Sequence, residues 1–479
     1  MSVSTTLANA MTGLSAAAKR AQVVSSNIAN AHTESYGRRE LIVSSQAVGG
    51  VRVEGVQRHA DVSVIQNRRV AGASAAEAQA QQNFYTRMER SIGLPDTSGA
   101  LSQQVSRLTS ALISAVSTPD SDGTLRNVLA AAQGVSEHIR AVSMNIQTAR
   151  SDADAEIAAQ VDALNLALRQ VKSLNAEITR VQAAGMEKPA LVDQRQAVID
   201  SISTIIPIRQ YTRDNGQVAL FTPAGGMLLD GQVAEIGFTP TAAVDPFMEL
   251  GNGLSGLSLN GTEIDMGEGG LLSGGTLSAH FKIRDELAPE LQAGLDSLTR
   301  NVIERFQDSG VDPTVVSGQA GLFTDDGLTF DGVNEVGISQ RITVNASVDP
   351  SEGGALWRLR SGINALVPGD AGDGSTLLRM ADAFERGAPA SSVMFGPTAR
   401  SVPGFFDEFS SFVGGKIQQT ETEVAGNMAK FDIFHDAELR SGVDTDQEMQ
   451  NLLQIETAYA ANARVLQTVD QLLKTVLGI

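Results

Sequence analysis

The chain has 479 residues, a formal net charge of −19 and no cysteine. The missing cysteine excludes disulfides, thiolate zinc sites, iron–sulfur clusters and cysteine nucleophiles, and the acidic balance argues against nucleic acid, which binds basic surfaces. Only 4% of the residues are aromatic, so we expect about three domains with aliphatic cores, and no apolar run reaches the roughly 18 residues of a membrane span.

The first predicted element is an N-terminal helix with a narrow stripe of small and apolar side chains. Such a stripe, with its spacing of four and three residues, is typical of a coiled-coil seam. Its members are Leu7, Met11, Leu14, Ala18, Ala21, Ser25 and Ile28. The polar residues from Asn27 to Gly37 are expected to end the helix. Residues 1–18 are polar and alanine-rich, and the first basic residues, Lys19 and Arg20, follow them instead of preceding an apolar stretch. No cleavable signal peptide is therefore predicted.

From about Ala71 to Ile206 the apolar periodicity stays helical. One row runs from Leu101 to Val116 and a second from Val161 to Val181, with a turn signal between them at Pro119 to Gly123. Long alanine-rich helices of this kind predict an antiparallel bundle.

A β-like region begins at Asp214-Asn215-Gly216. Alternating residues around Asn260-Gly261 predict a hairpin with a type I′ turn. Residues 251–256 match G-x-G-x-x-G, but a strand pattern and no helix follows, which favours a glycine-rich loop over a nucleotide site.

The second half of the chain returns to helices. One is predicted from Thr276 to Phe306 and another from Phe405 to Phe434, with a kink or break at Gly414-Gly415. Between them, residues 311–375 look irregular with short strands.

The C-terminal segment carries the strongest periodic pattern. Its row consists of Leu452, Ile455, Tyr459, Asn462, Leu466, Val469, Leu473 and Val476. This row either packs on its own domain or pairs with the N-terminal stripe and brings both ends together. Residues 1–40 are net basic and residues 444–479 net acidic, which favours pairing.

No set of residues forms a catalytic or metal-binding pattern. The five histidines are His32, His59, His138, His280 and His435. None has metal-ligand spacing, and nucleophile-elbow and Walker motifs are missing. We therefore predict no enzyme, no cofactor and no metal. An enzyme or adhesin displayed on residues 216–275 or 311–375 would need clustered histidines or carboxylates, and the sequence shows none.

Both ends resemble the flagellar axial proteins of bacteria. Asn27-Ile28-Ala29-Asn30 followed by Thr33 and Tyr36 is similar to their N-terminal signature, with Glu34-Ser35 where the family usually has Pro-Gly. Residues 441–448 and 459–468 resemble their C-terminal signature. Leu191-Val192-Asp193-Gln194-Arg195-Gln196 looks like a segment of the flagellar hook-associated protein 1 (FlgK) family. The long helical region favours this family over the alternative, a hook or distal rod subunit.

Together these features predict a mainly α fold with terminal helices paired as a coiled coil, a long-helix bundle and small β-rich insertions. The inner unit is expected to comprise 1–40 with 441–479, and the bundle 41–210 with 271–310 and 376–440. Residues 211–270 form the β-rich insertion, and 311–375 a short irregular or β segment, a reduced outer domain.

The resemblance implies a secreted structural subunit that joins hook to filament by helical self-assembly, outside the cell. Its implied partners are further copies of itself in a ring, the hook protein, a second junction protein, the filament and an export chaperone, with no nucleic acid or membrane. We predict a self-assembly interface on the two termini. It comprises Leu7, Met11, Leu14, Ile28, Asn30, Leu452, Ile455, Tyr459, Asn462, Leu466, Val469 and Leu473.

Overall fold

The structure, a computed structural model, describes residues 3–33, 35–47, 49–94, 97, 99–267, 269–389 and 392–478. It begins with helix α1 (Val3–Ala29) and an antiparallel hairpin of β1 (Arg38–Ser45) and β2 (Val51–His59). The hairpin lies against α1 and buries Leu41. The sequence pattern did not predict it, because charged residues interrupt its alternation of apolar side chains.

Four long helices build most of the body, as the periodicity predicted. They are α2 (Val62–Ile92), α3 (Leu101–Ser117), α4 (Asp122–Ala183) and α5 (Pro189–Ile205). The carboxylate of Asp61 accepts hydrogen bonds from the first turn of α2, and the hydroxyl of Ser121 caps α4 in the same way after the predicted turn. With 62 residues, α4 is about 93 Å long.

A β-rich insertion follows α5. Its strands are β3 (Arg209–Thr212), β4 (Val218–Phe221), β5 (Met227–Asp230), β6 (Gln232–Val233), β7 (Ile236–Gly237), β8 (Glu249–Leu250), β9 (Gly253–Leu254), β10 (Leu257–Leu259) and β11 (Thr262–Ile264). Strands β3 to β6 form one antiparallel sheet in chain order, and β11-β10-β7 form another. The predicted hairpin is confirmed: Asn260 and Gly261 have φ of 53° and 80°, both positive as a type I′ turn requires.

Helix α6 (Gly275–Lys282) continues through a π-helical segment (Ile283–Leu287) into α7 (Ala288–Phe306). Short elements then lead to the last helices. They are β12 (Phe323–Asp325), α8 (Ile338–Arg341), β13 (Ile342–Val344), α9 (Trp357–Ser361) and α10 (Ser375–Glu385), with 3₁₀ turns at Gly332–Asn334, Ala346–Val348, Pro350–Glu352 and Val393–Phe395.

The chain ends with α11 (Val402–Ser441), which lies along α2, and α12 (Thr445–Leu477). The break predicted at Gly414-Gly415 is wrong, since α11 is continuous there. Each glycine costs a helix about 1 kcal/mol, and the packing of α11 along α2 and in the core outweighs that cost. Within the described ranges, no helix combines the length and apolar character needed to cross a bilayer.

Two large apolar cores fill the body. The first includes α3, the first half of α4, α7, α10 and the start of α11, and the second lies between the rest of α4, α5, α6 and the β insertion. Phe323, Ile342 and Leu359 belong to the first core. Residues 311–375 thus pack into the bundle and share its interior. The predicted division into four units otherwise remains a proposal.

The terminal helices α1 and α12 pack against each other, which confirms that the two chain ends pair. They form a small third cluster of Ala17, Val24 and Ile455, edged by Ala21, Ile28 and Leu452. Among the described residues this cluster shares no member with the two body cores. Apolar packing therefore holds the helices together without extending into the body.

Candidate self-assembly site at the paired terminal helices

Small side chains let α1 and α12 approach closely. A Cβ atom placed on Gly13 would lie 3.0 Å from both amide heteroatoms of Asn462. Contact at this distance is tighter than ordinary van der Waals packing, so a larger residue at position 13 would have to displace the Asn462 side chain by a few tenths of an ångström. The amide of Asn462 donates to the carbonyl oxygen of Ala458 in its own helix, 3.1 Å away.

The predicted C-terminal row coincides with the face of α12 that meets α1. Ile455 and Val469 are buried, and Leu452, Asn462 and Leu466 are half-buried. Tyr459 and Leu473 lie at the edge and are 48% and 37% exposed. The seam of α12 therefore follows the predicted periodicity, while part of its edge stays open to solvent.

The predicted N-terminal row sits beside the seam of α1. The residues of α1 buried on this side include Ala10, Ala17 and Val24, each one position before a predicted row member. Met11 is 59% exposed. Leu7, Leu14, Ile28 and Asn30 are half-buried. The row borders the contact with α12, and its part in self-assembly stays a prediction.

A buried asparagine organises the end of α1. Asn27 is fully buried, and its Oδ1 accepts hydrogen bonds from the Arg39 backbone N–H and the Tyr36 hydroxyl, both at 3.0 Å. Its Nδ2 donates to the carbonyl oxygen of Arg39 at 2.8 Å and to Glu448 Oε2 at 3.2 Å. One amide thus fixes the chain reversal after α1 and connects it to α12.

Glu448 is the C-terminal partner in this contact. It lies in the first turn of α12 and is 1% exposed. Its Oε1 accepts a hydrogen bond from Arg38 Nε at 2.9 Å. A buried carboxylate is costly unless it is paired and hydrogen-bonded, and Arg38 and Asn27 together satisfy it.

Asp193 of α5 binds the segment that links α1 to the hairpin. Its Oδ1 accepts from Arg58 Nε at 2.7 Å and from the Gly37 backbone N–H at 3.2 Å, and its Oδ2 accepts from an Arg39 guanidinium nitrogen at 2.7 Å. The Arg39 guanidinium also lies 4.6 Å from the ring centroid of Tyr36, a cation–π distance.

Asp200, two turns further along α5, forms a second charged contact. Its Oδ2 accepts from the Ser35 hydroxyl at 2.8 Å, and its Oδ1 accepts from Arg68 and Arg69 at 2.8 and 2.7 Å. Burial alone would raise the pKa of Asp200, but the charges of Arg69 and Arg68 outweigh it and lower that pKa. Arg68 also pairs with Glu438 near the end of α11.

Ser35 has a left-handed backbone with φ of 61°. This is the position where the axial signature usually has glycine, a residue that adopts such a φ without strain. Here a serine adopts this conformation, and its hydroxyl donates a hydrogen bond to Asp200. The neighbouring Glu34 lies outside the described residues.

The segment 191–196 connects three parts of the molecule. Beyond Asp193, Arg195 donates to Asn175 Oδ1 at 2.8 Å and to the carbonyl oxygen of Gly216 at 2.9 Å. Burial, followed by the nearby charge of Arg58, lowers the pKa of Arg195 to about 10. Gln196 Oε1 accepts from Arg69 at 2.7 Å. The motif thus joins α5 to α4, the β insertion and α2.

The sequence did not predict as site residues the polar side chains that connect the terminal helices to α5. Asn27, Asp193 and Glu448 lie within the motifs that resemble the flagellar family. Their place in those motifs was the one sequence feature that could have identified them. Arg38 and Arg58 follow no periodic pattern, and only the fold shows their role. Among the described residues, no group of three or more His, Asp or Glu side chains is placed to hold a metal ion.

Three family models match the chain. The model described as "Flagellar hook-associated protein FlgK helical domain" matches residues 85–322. "Flagellar basal body rod FlgEFG protein C-terminal" matches 439–479, and "Flagella basal body rod protein" matches 7–36. The two terminal matches cover most of the paired helices, and the long match runs from the last turns of α2 to the residue before β12.

Curated relatives match the chain end to end. Flagellar hook-associated protein 1 of Bacillus subtilis (strain 168) is 24% identical over 515 residues, which is 98% of this chain and 97% of the relative. Flagellar hook-associated protein 1 of Escherichia coli (strain K12) is 24% identical over 558 residues, covering all of both chains. The solved flagellar hook junction protein FlgK from Burkholderia pseudomallei is 15% identical, with a TM-score of 0.43 over 54% of this chain and 46% of that one. On the family models and the full-length relatives, the chain belongs to the flagellar hook-associated protein 1 family.

Proposed function

We propose that the chain is a structural subunit of the bacterial flagellum that joins hook to filament by helical self-assembly. The observation that carries this is the incomplete burial of the terminal helices. After α1 and α12 pair, Met11 of α1 and Leu453 and Leu472 of α12 remain 59%, 58% and 51% exposed. Apolar side chains in this arrangement gain burial when neighbouring copies pack beside them.

The shape of the exposed face fits close helix packing. The solvent side of α1 carries small uncharged residues such as Ser15, Ala18 and Ser25 beside Met11. Helices with small side chains approach closely, and a set of such pairs around an axis forms a tube wall. The same face contains the predicted row that borders the α1–α12 seam.

The family relationship supports the junction role over other axial roles. Rod-type models match the two ends, and those ends alone fit any axial subunit. The helical-domain match over 85–322 adds a body that the rod models do not cover. We infer that the protein acts without catalysis, outside the cell, and contacts the hook protein, a second junction protein and the filament, after delivery by the flagellar export route with a chaperone.

A deletion strain tests this proposal. Cells without the gene are expected to make hooks that lack filaments and to release filament protein into the medium, and the wild-type chain supplied in trans should restore filaments. Filaments of normal number and length on deleted cells would contradict the junction role. Loss of the hook itself would favour a hook or rod subunit.

A further inference from the structure

The link between the terminal helix pair and the body is polar. The terminal apolar cluster ends at Ala17, Val24 and Ile455 with its edge residues, and in the described ranges it does not merge with either body core. Beyond this cluster, polar contacts with α5 connect the terminal helices to the body. Asp193 and Asp200 are seven residues apart and therefore lie on one face of α5, about 10 Å from each other along the helix axis.

The segment after α1 and the end of α11, which precedes α12, are both connected to this face. The connection after α1 is held through Gly37 and Arg39 to Asp193, and through Ser35 to Asp200. The connection before α12 is held indirectly, because Arg68 bridges Asp200 to Glu438 of α11. One face of one helix thus contacts the two points at which the chain enters and leaves the terminal pair.

Charge pairs of this kind constrain direction more strongly than apolar contact does. Asp193 receives its three hydrogen bonds from three separate backbone or guanidinium groups, and charge-assisted bonds to a carboxylate are short and geometrically specific. The side chains of Asp193, Arg39 and Arg58 are 15%, 19% and 14% exposed. Water therefore competes only weakly for them.

The length of the terminal helices makes this constraint matter. Helix α12 has 33 residues and is about 50 Å long, so a tilt of about 10° at its base moves its tip by about 9 Å. Packed helices lie about 8–10 Å apart. A tilt of this size therefore displaces the tip by a whole helix spacing.

We propose that the α5 face formed by Asp193 and Asp200 is a positioning element that sets the angle of the terminal helix pair relative to the body. Its consequence for assembly rests on the proposed function, since the angle matters only where neighbouring pairs must pack in register. The angle itself is a property of the isolated chain and is measured without assembly.

Spin labels measure that angle directly, and a chain without cysteine accepts them at chosen sites only. Labels at Gln467→Cys on α12 and Gln170→Cys on α4, both exposed, report the distance by double electron–electron resonance. The test variant combines Asp193→Asn with Ser35→Ala. It removes the charge of Asp193 and the hydroxyl bond to Asp200, and leaves the buried Arg69–Asp200 pair intact.

The distance distribution of the variant is expected to broaden, with a displacement of up to about 6 Å for each 10° of tilt, while thermal melting of the body stays unchanged. Asp152→Asn removes an exposed carboxylate of α4 that pairs with Arg87, and should leave the distribution as in the wild type. Asp193→Glu keeps the charge and should restore a narrow distribution. Each single variant is measured too, so that a folding defect in the combined variant leaves the comparison intact.

A distribution in the Asp193 and Ser35 variants with the width and mean of the wild type would overturn the proposal. That result would leave the junction role standing. Failure of the deletion strain to lose filaments would overturn the junction role and leave the positioning result standing, because the distances are measured in the separate chain.

Discussion

Asn27 and Glu448 lie 421 positions apart in the sequence and share a buried hydrogen bond of 3.2 Å. One residue ends the first helix of the chain and the other begins the last. Their contact closes the chain at the base of the terminal pair, where Arg38 and Tyr36 complete the same network. The two ends are therefore connected by specific hydrogen bonds in addition to the apolar seam.

Replacing Asn27 with Ala should loosen the terminal pair. The change removes the acceptor of the Arg39 N–H, and an unsatisfied buried group costs about 1–3 kcal/mol. The Tyr36 hydroxyl also loses Asn27 and keeps the Ser26 hydroxyl, 3.3 Å away. Hydrogen exchange should become faster in α1 and α12 and stay unchanged in α3 and α4. Asn30→Ala is the matched control, because the side-chain hydrogen bonds of Asn30 among the described residues join it to its close neighbours Ser26 and Thr33. Equal exchange rates in both variants would contradict the role of Asn27.

Aspartate in the seam or at its edge should block incorporation into the flagellum. Leu466 is half-buried against α1, so Leu466→Asp puts an unpaired charge into the seam and costs several kcal/mol. Leu473 is 37% exposed, so Leu473→Asp should leave the isolated chain folded and act only on assembly. Circular dichroism checks the body and swimming assays check assembly. Normal motility with either variant would refute the interface prediction.

The close approach at Gly13 gives a double-mutant test. Gly13→Ala places a methyl group 3.0 Å from the Asn462 amide and should weaken the helix pair. Asn462→Ala removes the opposing atoms and should restore most of the loss in the double variant. The coupling energy between the two sites is expected to be about 0.5–3 kcal/mol, measured by chemical unfolding of the terminal helices. Additive effects would show that the two residues are not in contact.

The uninterrupted helix at Gly414-Gly415 predicts a gain in stability on substitution. A Cβ atom at either glycine meets nothing within 4 Å, and alanine favours a helix over glycine by about 0.5–1 kcal/mol per site. Gly414→Ala and Gly415→Ala should therefore each raise the melting temperature. Gly72→Ala is the control, since its Cβ would lie 3.2 Å from the ring of Phe431 and should bring no such gain. Destabilisation by both alanines would mean that α11 bends there.

Acid should weaken the contact at Asp200. Its pKa is held below 3.8 by Arg69 and Arg68 against the opposing effect of burial, so its stabilising contribution is complete above pH 3.8 and is lost as the pH falls through the lowered value. The free energy of unfolding measured from pH 6 to pH 2 should fall less steeply in Asp200→Asn. Parallel curves for the two chains would contradict the assignment.

Features of the fold that repeat along the chain could be predicted from the sequence. Contacts between residues from distant parts of the chain could not. The rows around Leu108, Leu164 and Leu466 fix helices because burial repeats with the turn of the helix, and Asn260-Gly261 fixes a hairpin by backbone conformation alone. The predicted buried face of α1 differs from the observed one by one position. Ala17 and Ala18 are chemically alike, and only packing against α12 decides which of them is buried. The contacts of Asp193 follow no sequence periodicity, because its partners come from distant segments of the chain.

Helix α4 crosses both body cores without a break, from Leu125 in the first to Ile178 on the edge of the β insertion. Two domains joined by a loop would let twist dissipate at the linker. Here the same hydrogen-bonded rod is embedded at both ends, so torque applied at one core reaches the other along the backbone. In the proposed flagellar assembly, such a rod transmits load between the two cores of each subunit.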